Sequence, residues 1–480
     1  MNFRMIIYIL GWVLNMESLL MAIPCLTAII YRETNGVYFL LVMAVGGLLG
    51  WTATHKKPEN TVFYAKEGFV AVSLSWIVLS FFGAMPFYMS GEIPVLEDAL
   101  FEVISGFTTT GASILTNVEG LSQSMLIWRS FTHWIGGMGV LVFILAILPL
   151  AGGYNIHIMR AESPGPSVGK LVPRIKATAK ILYVIYFSMT ILEIILLVAG
   201  GMPWFDSICT SFGTAGTGGF GIKNNSIAFY DSYYLQGVIT LFMILFGVNF
   251  NVYYLFLVHH PKDALKCEEA RCYLGIILVA TTLIAFNIRG SFTSLFAAFH
   301  HAAFQVASII TTTGFSTMDF DKWPEFSKSI LVMLMLVGAC AGSTGGGIKV
   351  SRVMIAFKIV KKELASLIHP RSVKILKLEG KPLEHTVVRS VNAFLITYLI
   401  IFTISVVLIS LNNFDFTTNF TAVAATFNNI GPGLAGVGPS GNFSAFSGFS
   451  KYILMFDMLA GRLELFPMLL LFSPPTWRKQ

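Results

Sequence analysis

One short pattern recurs four times among hydrophobic segments, and it constrains the fold more than any other feature of the chain. When the glycine that precedes an apolar residue is aligned in each copy, the equivalent positions are Gly111, Gly219, Gly314 and Gly433. The copies read FEVISGFTTTGAS (101–113), FGTAGTGGFG (212–221), FQVASIITTTGFST (304–317) and ATFNNIGPGLAG (425–436). Intervals of 108, 95 and 119 residues leave room for two membrane crossings between copies. We therefore expect four quasi-equivalent units.

Glycine and threonine suit a loop that faces a bare cation. Glycine tolerates backbone torsions that a side chain forbids, so carbonyl oxygens can turn inward. Four such loops around one axis can replace the hydration shell of a monovalent cation. A single TTTG would favour a Thr-rich turn over a pore loop. Four copies at membrane depth favour pore loops.

The composition indicates a polytopic membrane protein. The 480 residues are 55% hydrophobic and 12% charged, with a mean hydropathy of +0.73. The net charge of +7 fits basic cytoplasmic loops better than a nucleic-acid partner, because no aromatic-basic motif is present. The five cysteines are scattered and predict neither a disulfide framework nor a metal site. We expect a lipid bilayer as the surroundings and no nucleic acid.

Hydrophobic spacing predicts an all-α fold with four repeats around a pseudo-fourfold pore. Each repeat consists of a membrane crossing, a pore loop and a second crossing. Residues 1–66 hold two leading helices, 5–30 and 37–52, and the repeats span residues 67–177, 178–269, 270–385 and 386–480. First crossings are predicted at 70–89, 181–199, 273–286 and 391–409, and second crossings at 126–150, 234–258, 330–360 and 452–472. Between them, short segments at 99–107, 204–212, 295–310 and 417–428 predict re-entrant helices, since they are too short to span. The total is ten crossings.

The charges orient this topology. Residues 153–180 carry Arg160, Lys170, Arg174, Lys176 and Lys180 against one acid, and residues 349–389 carry ten Lys or Arg against three acids. Filter-side loops are acidic instead. The positive-inside rule then predicts that both termini are cytoplasmic.

The ordered motifs resemble the Trk/Ktr/HKT superfamily of potassium transporters, and within it the bacterial TrkH-like branch. The resemblance covers essentially the whole chain, and two leading helices favour this branch over the shorter Ktr type. It rests on SGFTTTGAS, WIGGMGVLVF (134–143), TGGF (217–220), GVNFNVYY (247–254), TTTGFST, AGSTGGGIK (341–349) and GRLELFP (461–467).

The resemblance implies potassium and rubidium permeation across a bacterial inner membrane. It also implies a homodimer and a cytoplasmic nucleotide-binding regulatory ring of the TrkA type. No Gly-rich fingerprint in this chain stands in a strand-turn-helix setting, so we expect no cofactor bound by the chain and treat K⁺ as the permeant ion. The predicted potassium-binding filter comprises Thr109, Thr110, Gly111, Thr217, Gly218, Gly219, Thr312, Thr313, Gly314, Gly431, Pro432 and Gly433. The fourth copy departs from the Thr pattern, and Pro432 lacks an amide donor.

A glycine-rich stretch interrupts the predicted crossing at 330–360. A continuous helix is disfavoured because each glycine costs roughly 1 kcal/mol relative to alanine in a helix interior. The resemblance implies an intramembrane gate loop below the filter, whose residues would be Gly338, Ala341, Gly342, Ser343, Thr344, Gly345, Gly346, Gly347, Lys349 and Arg462. The alternative is a close-packed helix interface of small residues. A phosphate-binding loop is disfavoured because no G-K-[ST] follows.

Two basic residues of this set need explanation at membrane depth. Arg462 is expected either to be a fixed cation near the pore axis that restricts flux or holds carbonyls of the glycine stretch, or to pair with Asp457 or Glu464. Lys349 is expected to extend its ammonium to the membrane interface.

The other polar residues within crossings are expected to play structural roles. Interhelical hydrogen bonding is the interpretation for Glu193, Asn249 and Asn251. Capping or interfacial roles near the outer helix ends are the interpretation for His133, His300 and His301.

Two alternatives to a channel-like pore stay open at this point. A symporter coupled to sodium or protons, within the same superfamily, is compatible with the motifs. A polytopic membrane enzyme would need reactive side chains clustered at one depth, and the sequence has no such constellation. We therefore predict a transporter rather than an enzyme.

Overall fold

The computed structural model describes residues 1–60, 64–139, 175–257, 261–371 and 375–478. In this part of the chain the leading segment is α1 (Phe3–Leu20) and α2 (Ala22–Tyr31), which form one apolar span, and α3 (Gly36–Thr54), which packs against α1. A Cβ on Gly11 would lie 2.6 Å from the Cβ of Ala53, so glycine allows α1 and α3 to approach closely.

The first repeat contains α4 (Ala65–Ser90), α5 (Leu96–Phe107) and α6 (Gln123–Gly137). At about 1.5 Å per residue, α5 is too short to span a bilayer, as the sequence predicted. Its first turn holds two acidic residues, which favour the positive end of the helix dipole. The predicted crossing 126–150 and the basic loop after it lie mostly outside the described residues.

The second repeat contains α7 (Ile175–Ala199), α8 (Trp204–Gly216), α9 (Tyr233–Phe246) and α10 (Phe250–Leu257), followed by the short α11 (Pro261–Leu265). The axes of α9 and α10 meet at 89°. The segment predicted as a crossing at 234–258 is therefore two helices rather than one. The chain breaks because the carbonyl of Gly247 accepts a 3.1 Å hydrogen bond from the amide of Cys340, and that contact replaces continuation of the helix.

The third repeat contains α12 (Glu268–Ile288), α13 (Leu295–Ile310), α14 (Glu325–Val337) and α15 (Val350–Ile368). Residues 338–349, between α14 and α15, are not helical, which agrees with the prediction of a break there. An antiparallel hairpin of β1 (Lys377–Leu378) and β2 (Lys381–Pro382) follows α15, with Lys377 opposite Pro382.

The fourth repeat contains α16 (His385–Ile409), α17 (Phe416–Phe427), α18 (Gly448–Arg462), α19 (Phe466–Phe472) and α20 (Pro474–Trp477). Two successive non-glycine residues with left-handed backbone, Glu464 (φ 63°) and Leu465 (φ 64°), separate α18 from α19. Since such backbone terminates a right-handed helix, the segment predicted as a crossing at 452–472 is also not one continuous helix.

Six helical stretches in the described ranges are long and apolar enough to cross a membrane, and they are the two leading spans and the first helix of each repeat. They are Phe3–Tyr31, Gly36–Thr54, Ala65–Ser90, Lys180–Ala199, Glu268–Ser291 and His385–Asn412. The bent pair α9 and α10 would be a seventh. The chain is a multi-pass membrane protein; ten crossings and the repeat boundaries stay predictions, because the second helices are interrupted. Short 3₁₀ helices lie at Val118–Gly120, Ser226–Phe229, Arg289–Ser291, Phe320–Lys322, Ser410–Asn412 and Ala435–Val437.

Candidate cation pathway

The four loops after the short helices share one backbone geometry. In each loop an amide donates to the carbonyl five residues earlier: Thr110 to Ser105 (2.8 Å), Gly218 to Gly213 (2.9 Å), Thr313 to Ser308 (2.8 Å) and Ile430 to Ala425 (2.8 Å). The residue before each of these donors is left-handed, with φ of 55° at Thr109, 54° at Thr217, 59° at Thr312 and 56° at Asn429. The residue after each donor is a glycine with positive φ: Gly111, Gly219, Gly314 and Gly431. These matches fix the structural equivalence of the four loops.

This geometry corrects the alignment of the fourth copy. The equivalent of Gly111 is Gly431, with φ of 97°, and not Gly433. Gly433 instead donates its amide to Val437 O at 2.7 Å and packs against Thr421. The sequence rule failed because Pro432 follows the glycine equivalent to Gly111, where the other copies have Ala or Phe. In the fourth loop, Asn429, Ile430 and Gly431 are therefore the equivalents of Thr109, Thr110 and Gly111. Pro432 and Gly433 lie after them in the chain.

The four loops close into a ring. A Cβ built on Gly111, Gly219, Gly314 or Gly431 would lie within 3.0 Å of a carbonyl oxygen in the next loop, closer than real Cβ atoms come. The pairs run in cyclic order: Gly111 to Gly218, Gly219 to Thr313, Gly314 to Ile430, and Gly431 back to Thr110. In each pair the contacted carbonyl belongs to the residue that comes just before the glycine of the neighbouring loop. Glycine at these four positions allows the loops to approach this closely, since a side chain would force adjacent loops apart.

A cavity of about 120 Å³ lies against one side of this ring. The four glycines of the ring and Pro432 line it, together with residues that follow each loop, including Lys223 and Asn442. The four loops therefore border an accessible cavity, called the vestibule below.

An ion pair that the sequence analysis missed supports the ring from behind. The carboxylate of Glu102, on α5, accepts hydrogen bonds from Arg129 Nε (2.6 Å) and from the amide of Ile114 (3.0 Å). Arg129 also donates to Gly221 O at 2.8 Å, and its guanidinium carbon lies 3.5 Å from the centre of the Phe220 ring. Both partners are buried, and the pair links the first and second loops.

His133 makes a second link across the same seam. Of the two roles expected for it, capping or interfacial, the interfacial one is wrong because the residue is buried. Its ring is fully buried; Nδ1 lies 2.7 Å from Gly106 O, and Nε2 accepts from the amide of Phe220 at 3.2 Å. That acceptor role at Nε2 places the ring proton on Nδ1, which donates to Gly106. A Cβ on Gly218 would collide with this ring. By contrast, His300 and His301 contact Gln236 and Thr317.

The glycine-rich stretch meets the opposite end of the ring from the vestibule. The amide of Gly346 donates to Thr312 Oγ1 at 2.6 Å. A Cβ on Gly345 would lie 2.9 Å from Thr311 O, and one on Gly346 would collide with Asn428 O. Residues 338–349 therefore form a loop pressed against the ends of α13 and α17, and the alternative of a continuous close-packed helix is wrong.

Buried partners anchor this loop at both ends. The carboxylate of Glu269 accepts from the amides of Ala341 (2.7 Å) and Ser351 (3.0 Å). Gly342 O accepts from the amide of Phe250 at 3.0 Å, at the bend between α9 and α10. Asn249 caps that bend by accepting from the amide of Asn251 at 2.9 Å, so its hydrogen bond is local.

Two positively charged side chains, those of Arg462 and Lys349, donate hydrogen bonds to carbonyls of the loop. Arg462 donates to Thr344 O (2.8 Å) and, on its other side, to Gly136 O and Gly137 O (2.8 Å to the latter). This matches the expectation that Arg462 holds the glycine stretch. Lys349 is buried and donates to Gly345 O, so the expectation that it extends to the membrane interface is wrong.

The acids proposed as alternative partners of Arg462 have other contacts. Glu464 pairs with Arg352. Asp457 accepts from Ser405 Oγ at 2.8 Å. Within the described ranges, no group of three or more His, Cys, Asp or Glu is placed to hold a metal ion.

The fold and the ring define a class: a multi-pass membrane protein in which four pore-loop repeats surround one axis. A family model described as "TrkH: Cation transport protein" matches residues 33–478. The chain belongs to the TrkH family.

Relatives match over the full length. The Trk system potassium uptake protein TrkH of Salmonella typhimurium (strain LT2) is 37% identical over 100% of both chains. The Trk system potassium uptake protein TrkG of Escherichia coli (strain K12) is 32% identical over 99% of both. The crystal structure of the potassium transporter TrkH from Vibrio parahaemolyticus superposes with a TM-score of 0.90 at 35% identity, covering 100% of both chains.

Proposed function

We propose that this chain takes up potassium, and rubidium in its place, through the ring formed by its four loops. The observation that carries the proposal is the cyclic contact of each filter glycine with a carbonyl of the next loop. The relatives named as potassium uptake proteins support the choice of ion.

Backbone carbonyls would bind the dehydrated ion. The ligands are those of Thr109, Thr110, Gly111, Thr217, Gly218, Gly219, Thr312, Thr313 and Gly314, with Asn429, Ile430 and Gly431 completing the fourth side. In all four loops a left-handed residue stands two positions before a glycine with positive φ. This shared backbone places equivalent carbonyls at equivalent levels along the pore. Asn429 and Ile430 make one side chemically different, so we expect weaker discrimination than in a filter of four identical loops.

The loop at 338–349 would act as the gate. It lies against the end of the ring opposite the vestibule, and Arg462 and Lys349 hold two of its carbonyls. Opening must break these hydrogen bonds and the Gly346 contact with Thr312. Each is worth roughly 1 kcal/mol or more when a charged donor is involved, so a modest external input can shift the balance.

That input would come from a cytoplasmic nucleotide-binding ring of the TrkA type, acting on a homodimer in the bacterial inner membrane with both termini inside. A positively charged cavity of about 230 Å³ supports an acidic partner surface. Its lining includes Lys358, Lys361, Lys362 and Lys377, three of them on α15, the helix that follows the gate loop directly.

Ion flux through the purified chain in liposomes tests this proposal. Potassium or rubidium uptake under an imposed potential, without sodium or proton gradients and well above sodium or lithium uptake, is the expected result. Uptake that requires a sodium or proton gradient would replace the pore by a coupled carrier. Flux appearing only after addition of the regulatory ring would identify the isolated chain as closed.

A further inference from the structure

The wall of the vestibule carries a positive charge, although the vestibule leads to a ring suited to cations. Two charged side chains line it, those of Lys223 and Arg129, and the described residues contribute no acid to the lining. The charge of Arg129 is balanced by the buried carboxylate of Glu102, 2.6 Å away. Lys223 forms no ion pair with any described residue, and its ammonium lies 4.7 Å from the centre of the Phe229 ring. The lining described here therefore has a net positive charge.

The backbone around Lys223 is fixed by loops of two neighbouring repeats. The amide of Asn224 donates to the carboxylate of Glu119, in the first repeat, at 3.0 Å. On the other side, the amide of Ala228 donates to Ser316 O, in the third repeat, at 3.1 Å. Lys223 itself is half-buried. Its side chain therefore starts from a fixed point beside the cavity, unlike that of a lysine on a mobile surface loop.

Acidic residues of the surrounding loops lie outside the cavity lining. Glu119 and Asp321 accept hydrogen bonds from backbone amides, those of Asn224 (3.0 Å) and Ala435 (3.2 Å), and neither lines the vestibule. Such acids attract cations toward this face of the protein at long range. Lys223 acts at shorter range, on an ion that has already entered the cavity. The two kinds of charge therefore affect different steps of ion entry.

We propose that Lys223 is a charge barrier in the vestibule, which keeps divalent cations away from the ring more strongly than it opposes potassium. This inference rests on the proposed function, since it assigns a specificity-determining residue to the same pathway. Repulsion by one fixed charge is proportional to the charge of the ion, so the reduction in occupancy for a divalent ion is the square of that for potassium. For an ion about 6–7 Å from the ammonium in water, Coulomb's law gives a reduction of about threefold for potassium and about ninefold for barium. The chain loses some potassium entry at low salt and gains exclusion of divalent ions.

Single-channel recordings in planar bilayers test the inference, because the current through an open channel does not depend on how often the gate opens. We expect Lys223→Gln to raise the potassium current that enters from the vestibule side about threefold at low salt. The difference should vanish at high salt, because the Debye length falls from about 30 Å at 0.01 M to about 3 Å at 1 M. Barium added on the vestibule side at low salt should block Lys223→Gln at about one-ninth of the concentration that blocks the unsubstituted chain.

Two control variants separate the charge of Lys223 from other effects. Lys223→Arg keeps the charge and should behave like the unsubstituted chain. Lys322→Gln removes an exposed lysine of the third repeat that pairs with Asp319 at 3.3 Å and does not line the vestibule, so it should change neither property.

Three results would overturn the inference and leave the proposed function intact. They are an unchanged current in Lys223→Gln at low salt, a raised current with no change in barium block, and a change of the same size in Lys322→Gln. A raised current that persists at high salt would overturn it as well, because screening would then have no effect. Absence of potassium current through the unsubstituted chain together with its regulatory ring would instead contradict the proposed function.

Discussion

Alanine at the filter glycines should damage selectivity in an order that the ring geometry sets. At Gly219 a Cβ would overlap Thr313 O by roughly an ångström relative to the 3.0 Å limit, whereas at Gly431 it would lie 2.8 Å from Thr110 O. Both residues also have left-handed φ, which costs about 1–2 kcal/mol for alanine. Gly219→Ala must therefore separate two backbone segments in addition to bearing the torsional cost. Gly431→Ala requires only a shift of a few tenths of an ångström.

Reversal potentials under potassium and sodium gradients measure the outcome in liposomes. We expect Gly219→Ala to lose most of the preference for potassium, and Gly431→Ala to retain a reduced one. Gly290→Ala is the matched control, because no atom lies within 4 Å of its Cβ position and its φ is not left-handed. Unchanged selectivity in Gly219→Ala, with the protein folded, would refute the contact between the second and third loops.

Three further predictions concern residues around the ring. Arg462→Gln should raise basal potassium leak in the absence of any partner, because the Thr344 carbonyl loses its charged donor; leak equal to that of the unsubstituted chain would count against this role. Glu102→Gln should lower the unfolding free energy by about 3–5 kcal/mol, since it leaves the buried Arg129 charge without its carboxylate partner. In detergent, the Glu102→Gln/Arg129→Met double variant should lose less melting temperature than Glu102→Gln alone, because it removes the unpaired charge as well. Hydrogen bonds from the hydroxyl and amide of Thr418 lower the pKa of Asp415, which caps α17. The ionised cap therefore stabilises the fold at pH values above the ordinary carboxyl pKa, and this stabilisation is lost as pH falls through the lowered pKa. The melting temperature of Asp415→Asn should change less between about pH 7 and about pH 3 than that of the unsubstituted chain.

The recurring pattern predicted the short helices and the loops well, because both depend on local sequence. Residues 295–310 are helical with the predicted bounds, and the glycine run at 345–347 does break its helix. These features follow from hydrophobic runs, glycine content and length alone. No long-range contact is needed to anticipate them.

The errors arose where distant residues decide the outcome. The register of the fourth loop depends on hydrogen bonds within the folded ring, so Pro432 misled the alignment. The bend at Gly247 depends on a contact with Cys340, 93 residues later. His133 is polar and lies near a helix end, but only the assembled seam shows that both ring nitrogens have partners across two repeats. The sequence does place Arg129 and His133 four residues apart, on one face of a mostly apolar helix. That spacing could have indicated a buried polar contact on this face.

The most direct measurement of the central claim is an anomalous diffraction map of crystals grown in rubidium. The account predicts a rubidium peak on the axis of the ring, within coordination distance of the carbonyls of Thr110, Gly218, Thr313 and Ile430. Replacement of rubidium by sodium should remove it. A map with no peak inside the ring, or with its strongest peak away from these four carbonyls, would contradict the assignment of the ring as the ion filter.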